Sequence, residues 1–111
     1  MGRRQGEARP LKPEPYRLKI HPKAVRELAA LPKGIQRRTR DDLDLLAADP
    51  RPAGRVKQID KEIFRIRAGD YRTVYRVDDA RRLVAVLLIG HRRNVYDVLR
   101  RSDRESWNQE S

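Results

Sequence analysis

The sequence predicts an α+β fold in which two N-terminal helices cover one face of an antiparallel-rich, four-stranded sheet. The first observation is a short alternating stretch, residues 16–20, followed at once by two segments with helical periodicity. The second is a block of three strand-like segments between residues 63 and 89, divided by two turn sequences. Helices and strands that are segregated along the chain in this way are typical of a layered α+β domain.

The first strand and the two helices are predicted from the N-terminal half. Residues 1–15 are polar and aperiodic, so we expect a flexible basic tail before a domain spanning residues 16–101. Pro22 suits the first turn of a helix that ends near Ala30, and a second helix is predicted over residues 35–48, where Asp49-Pro50 ends it. Residues expected to face the core in these elements are Tyr16, Leu18, Ile20, Val25, Leu28, Ala29, Ile35, Thr39, Leu43 and Leu46.

Three sequential strands form the block that the rest of the domain supports. A short extended piece, 56–59, precedes them, and a short helix to about residue 101 and a polar tail, 102–111, follow. The turns are predicted at residues 69–70 and 78–79, and the apolar run 83–89 reads as a central strand covered on both faces. Alternation places Arg65 and Arg67 opposite the apolar residues of their strand, which indicates a row of arginines suited to a polyanion. Tyr71 and Tyr75 are predicted core residues, whereas Arg76, Arg81 and Arg82 are expected to be general basic surface.

The charge balance supports an anionic partner. The chain has 111 residues with 27 Lys+Arg against 16 Asp+Glu, a formal net charge of +11, which favours nucleic acid, an acidic protein or an anionic membrane surface. The longest apolar run is far shorter than the roughly 20 residues of a spanning helix, so we expect no membrane insertion. The chain has no cysteine and its N-terminal residues have no signal-like apolar segment, and we therefore expect a cytoplasmic protein.

Three segments together carry a resemblance to a known family. They are KAVRELAALPKGIQRR, IFRIRAGDYRTVYRVDD and IGHRRNVYDVLRR, which begin at residues 23, 63 and 89. Over residues 16–101 the chain resembles the RelE/ParE superfamily of toxin–antitoxin toxins, and within it the RelE branch of mRNA interferases. The resemblance implies a RelE-like β-α-α-β-β-β fold with a short C-terminal helix, and a ribosome-dependent endoribonuclease that cleaves mRNA and is held inactive by a cognate antitoxin.

The same resemblance implies the site residues and their departures from the family. It assigns the active surface to the strand arginines Arg65, Arg67 and Arg72, to Arg92 at the corner after the last strand, and to Tyr96. His91 stands where other members often have a lysine, the first-strand pair is arginine where some relatives have lysine, and the spacing from Gly90 to Tyr96 is shorter than in some members.

The chemistry of metal-independent RNA cleavage fits these residue types. The adjacent 2′-OH attacks phosphorus in line with the leaving 5′-oxygen, so the enzyme removes one proton, supplies another and neutralises the phosphoryl oxygens. Guanidinium groups suit the last task because they stay charged and offer a planar fork of donors. No arginine is a good general base, which leaves His91 and Tyr96 for proton transfer, and Tyr96 also has the option of stacking on a base. The two histidines and scattered carboxylates give no metal-ligand spacing, and no cofactor is expected.

Two other functions remain open at this stage. A ParE-like toxin would inhibit DNA gyrase by protein contact on the same fold, without nuclease chemistry. A non-catalytic RNA- or ribosome-binding module would use the same basic surface for binding alone. In the toxin readings the expected stable partner is an antitoxin, whose acidic segment would lie across the basic face.

Overall fold

The computed structural model describes residues 15–101, and the predicted tails lie outside this range except for Pro15. The elements follow one another as β1 (Arg17–Ile20), α1 (Pro22–Ala29), α2 (Lys33–Ala48), β2 (Val56–Asp60), β3 (Ile63–Ala68), β4 (Tyr71–Asp78), β5 (Leu83–His91) and α3 (Arg92–Arg101). The predicted helices and the three sequential strands are confirmed to within a few residues. Within the described range no helix is long and apolar enough to cross a membrane.

The sheet has five strands in the order β1-β5-β4-β3-β2, so the prediction of four strands was one short. The additional strand is β2, which contains the predicted extended piece and pairs antiparallel with β3. Strands β3, β4 and β5 form an antiparallel meander, as predicted. Strand β1 pairs in parallel with β5, so the sheet is mixed and the first strand of the chain lies beside the last.

Apolar residues pack on both faces of the sheet. On one face, α1 and α2 cover a core in which Leu43 and Leu46 meet Phe64, Tyr75 and Ile89. On the other face, α3 contributes Val95 and Leu99 to a smaller cluster with Ile63, Val74, Leu87 and Leu88. The central strands therefore bury both faces, which explains why β5 is apolar throughout.

Burial differs from the sequence prediction in α1 and at Arg76. Ala24 faces the core from α1, whereas Val25 is 49% exposed and Ala29 is exposed as well, because the helix is rotated by about one residue from the predicted stripe. Arg76 is only 7% exposed, so its prediction as general basic surface was wrong. It lies opposite Ile63 on the face that α3 covers, and its Nη1 reaches Glu62 at 3.5 Å. Alternation alone did not reveal that this face would also be covered.

Three side-chain hydrogen bonds fix the layers to one another. The buried Tyr75 hydroxyl donates to the Pro50 carbonyl oxygen at 2.7 Å, which ties the sheet to the loop after α2. The Glu27 carboxylate of α1 accepts from the backbone N–H of Ile89 at 2.9 Å. Arg51 donates to Asp79 at 2.7 Å and thereby joins the same loop to the turn between β4 and β5.

Candidate active site

Three adjacent strands place four cationic side chains on one face of the sheet. Lys57 of β2 lies directly opposite Arg65 of β3, and Arg67 of β3 lies directly opposite Arg72 of β4. Cross-strand partners share a face, and so do residues two apart in a strand, so all four side chains project toward the side that carries α3. Like charges placed directly opposite one another are destabilising, so this arrangement is not explained by the stability of the sheet.

Arg72 is held in place by the turn between β3 and β4. Its side chain is buried, with 7% of the residue exposed, and Nη1 donates to the carbonyl oxygens of Gly69 at 3.0 Å and Tyr71 at 3.1 Å. Gly69 adopts φ +62°, a left-handed conformation that glycine accepts without steric cost. The Nε of Arg72 has no hydrogen-bond partner within residues 15–101. One end of the guanidinium is therefore fixed by backbone carbonyls, which orients the whole group.

Tyr96 joins these cations from helix α3, which packs on the same face of the sheet. It lies on the second turn of α3, and burial of the neighbouring Val95 holds that turn against the sheet. The hydrogen bond with the Arg72 side chain is the main reason why the pKa of Tyr96 falls below its ordinary value of 10.0. Partial burial opposes that change, and the charges of Arg65, Arg72 and Lys57 reinforce it. A phenol surrounded by cations in this way is a better proton acceptor near neutral pH than an ordinary tyrosine.

Two further predicted site residues, Arg67 and Arg92, lie on either side of the turn that holds Arg72. Arg67 is exposed beside Arg72 and has no carboxylate partner within the described chain. Arg92 is exposed at the first position of α3, where its backbone N–H donates to the Asp70 carbonyl oxygen at 2.7 Å. The corner it occupies thus borders the same turn that holds Arg72.

His91 lies apart from this group. It pairs with Tyr71 on β4, one residue from Arg72, so it projects toward the opposite face of the sheet. Its ring meets the Tyr71 ring edge-on, with centroids 5.5 Å apart, and its Nδ1 accepts from the backbone N–H of Arg93 at 3.3 Å. The structure therefore brings together Arg65, Arg67, Arg72 and Tyr96, places Arg92 at the margin, and separates His91 from them.

Lys57 was missed by the sequence reasoning. The sequence predicts residues 56–59 only as a short extended piece, and it is the pairing of β2 with β3 that sets Lys57 opposite Arg65. The alternation of Val56, Lys57 and Gln58 was the available sign, but a single lysine on a short edge segment is common on any protein surface.

Comparison with known proteins identifies the family and agrees with the fold. The family model described as the ParE toxin of type II toxin–antitoxin systems matches residues 18–96. The archaeal RelE of the RelE–RelB complex from Pyrococcus horikoshii is 31% identical with a TM-score of 0.61, covering 69% of this chain and 94% of its own. The RelBE2 toxin–antitoxin complex from Mycobacterium tuberculosis gives 29% identity and a TM-score of 0.60, covering 70% of this chain and 92% of that one.

A more distant structure has the same fold. The isolated RelE toxin of E. coli is 23% identical with a TM-score of 0.61, covering 68% of this chain and 83% of its own. The search of curated proteins found no match. Since the family model spans most of the described domain and the archaeal RelE is matched over nearly its whole length, the chain belongs to the RelE/ParE superfamily of type II toxin–antitoxin toxins.

Proposed function

We propose that this protein is a ribosome-dependent endoribonuclease that cleaves mRNA in the cytoplasm and so inhibits translation. The observation that carries the proposal is the contact between Tyr96 and Arg72, with Arg65 and Lys57 close enough to lower the pKa of the phenol. Such a group unites a proton acceptor with fixed positive charge, which meets two of the three requirements for cleavage by a 2′-OH that attacks its own phosphodiester, the third being a proton for the leaving oxygen.

In the proposed reaction, Tyr96 removes the proton from the 2′-OH and the new O2′–P bond forms as the P–O5′ bond breaks. The products are a 2′,3′-cyclic phosphate and a 5′-hydroxyl, which forms as the departing 5′-oxygen takes a proton from solvent. Arg72 and Arg65 stabilise the negative charge that develops on the phosphoryl oxygens, and Arg72 is pre-oriented by its bonds to the turn carbonyls. His91 has no proton-transfer role in this mechanism because it lies on the opposite face.

The antitoxin partner belongs to the same proposal. Solved structures of two relatives are toxin–antitoxin complexes, and this chain carries a net charge of +11 with Lys57 and Arg67 exposed on the cationic face. We expect an acidic antitoxin segment to lie across Lys57, Arg65 and Arg67 and to block access of RNA to Tyr96. In that position the antitoxin would neutralise the positive charge of the face and prevent substrate from reaching the proton acceptor, Tyr96.

The second candidate function is inhibition of DNA gyrase by protein contact. The match to the ParE toxin model favours it, because that model covers residues 18–96. Gyrase contact would not require a phenol whose pKa is lowered by cations, and this is why the nuclease is the leading proposal.

The test compares substitutions at the site with a distant control. Tyr96→Phe removes the hydroxyl and Arg72→Gln removes the charge, and each is expected to reduce mRNA cleavage on translating ribosomes by about 100- to 1,000-fold. Arg37→Gln, an exposed change on α2, is expected to leave cleavage within about twofold of wild type. Cleavage is measured by mapping 5′ ends of mRNA after brief induction, and thermal unfolding checks that each variant is folded.

The outcomes separate the two candidates. Wild-type protein that produces DNA breaks before any mRNA fragment would establish the gyrase reading. Cleavage at the wild-type rate by both site variants would show that the assigned residues do not carry the reaction.

A further inference from the structure

An open cleft adjoins the proposed active site at the end of β3. Its volume is about 880 Å³, its floor is formed by β3 and the turn after it, and its walls come from α2 and the loop that leads into β2. Lys57 and Arg65 line the cleft and also act on Tyr96. Because β2 pairs with β3 only as far as Ile66, the edge of β3 has no strand partner among the described residues from Arg67 onward, and the cleft at this edge is lined both by α2 and by cations of the face that carries Tyr96.

The far wall of the cleft carries arginines that the proposed reaction does not use. Arg38 of α2 lies above the turn, with Nη1 3.9 Å from the position that a Cβ on Gly69 would occupy. The carbonyl oxygen of the same Gly69 accepts from Arg72. Arg38 and Arg72 thus approach one turn from two sides, and Arg67, directly opposite Arg72 on the strand that ends there, also lines the cleft.

The charges in the cleft favour an anionic ligand. Five cationic side chains and three carboxylates line it. One of those carboxylates, Asp42, is paired with Arg55 at 2.9 Å, which neutralises both. Within residues 15–101 neither Arg38 nor Arg67 forms an ion pair, so both retain their charge for a ligand. Arg65 and Arg67 are two residues apart on a strand, roughly 6.6 Å along its axis, a spacing similar to that of successive phosphates in an extended single strand.

We propose that this cleft is a second phosphate subsite, in which Arg38 and Arg67 bind a phosphate of the RNA strand adjacent to the one that is cleaved. The inference rests on the proposed nuclease function and adds a positioning site to it. Binding the neighbouring phosphate fixes the scissile one against Arg72 and Tyr96, which raises kcat/KM by orienting the substrate before reaction. Arg38 is a positioning residue in this scheme, since it does not touch the reacting atoms.

The test is a double-mutant cycle, in which the charge of Arg38 and the charge of one substrate phosphate are removed separately and together. Cleavage is measured on ribosomes programmed with mRNA in which a single phosphate flanking the scissile bond is replaced by an uncharged methylphosphonate. Wild-type protein is expected to lose about 10-fold in kcat/KM at one flanking position. Arg38→Gln is expected to lose about 10-fold with unmodified mRNA and to show little further loss at that position.

Arg40→Gln is the matched control, because it removes the same charge from an exposed position of α2 that does not line the cleft. Its kcat/KM is expected to stay within about twofold of wild type. Equal effects of the two substitutions, or an undiminished methylphosphonate penalty in Arg38→Gln at every position, would overturn the subsite while the nuclease function stands. If wild-type protein cleaves none of the substrates, the nuclease function itself fails and the subsite fails with it.

Discussion

Arg67 and Arg72 lie directly opposite each other on β3 and β4, and their like charges repel. Replacing Arg67 with Gln should therefore raise the free energy of unfolding of the isolated protein by about 0.2–1 kcal/mol. The same change should lower mRNA cleavage, because stability and ligand binding make opposite demands at this position. Urea unfolding and cleavage assays on one preparation measure both effects.

Arg40→Gln serves as the control for that prediction, since its position on α2 has no cross-strand neighbour. A stability gain of the same size in both variants would attribute the effect to net charge alone. An Arg67→Gln variant less stable than wild type would show that the pair is not repulsive in the folded protein.

The pH dependence of cleavage should report the environment of Tyr96. Because the Arg72 hydrogen bond and the nearby charges lower its pKa, the phenolate forms at lower pH than in an ordinary tyrosine. Single-turnover cleavage should rise with pH and level off through an inflection below 10. Arg72→Gln should move that inflection to higher pH, and Tyr96→Phe should remove it.

A profile whose inflection stays in place in Arg72→Gln would assign the titration to another group. A flat profile in wild type would show that a step other than the proton transfer limits the rate.

At the scale of elements, the contact between Glu27 and β5 connects α1 to the strand that leads into α3. Strand β1 ends at Ile20, opposite Val86, so the backbone N–H of Ile89 has no strand partner on that side and donates to Glu27 instead. Glu27→Ala should lower the free energy of unfolding by about 1–3 kcal/mol, because the donor loses its acceptor. Glu27→Gln keeps an acceptor oxygen and should cost less. Chemical denaturation measures the difference, and equal stability of the two variants would contradict the role assigned to this contact.

The elements could be predicted because their signals are local. Helix α1 begins at Pro22, α2 has a stripe of apolar residues, and the meander has alternating residues with turns at Gly69 and Asp79. The sequence predicts residues 56–59 as extended but not as a fifth strand, because a short polar segment does not by itself show that it pairs with β3. The parallel pairing of β1 with β5 could not be predicted, because the two strands lie at opposite ends of the domain sequence.

The candidate site was predictable to a similar degree. Alternation put Arg65 and Arg67 on one face, and the family resemblance added Arg72 and Tyr96, which the structure places beside them. Lys57 was missed because its position depends on the register of β2. His91 was included because its position corresponds to a lysine in other family members and because imidazole is suited to proton transfer, but strand alternation turns it to the other face.

At the scale of the whole molecule, repulsion among positive charges opposes folding. The formal net charge is +11, and four of the cations lie together on one face of the sheet. Added salt screens such repulsion, since the Debye length is about 10 Å at 0.1 M ionic strength. Raising NaCl from about 0.02 to 0.3 M should therefore raise the Tm of the isolated toxin, as measured by calorimetry. A lower Tm in high salt would mean that attractive pairs such as Arg51–Asp79 outweigh the repulsion.

The pairing of β1 with β5 has a consequence for biosynthesis. Arg17 pairs with Leu83, so β1 cannot join the sheet until most of the domain has been translated. Tyr96 is added later still. Under the proposed function, a nascent chain that ends before Tyr96 has no proton acceptor, so the toxin cannot cleave mRNA on the ribosome that makes it until elongation has passed that residue.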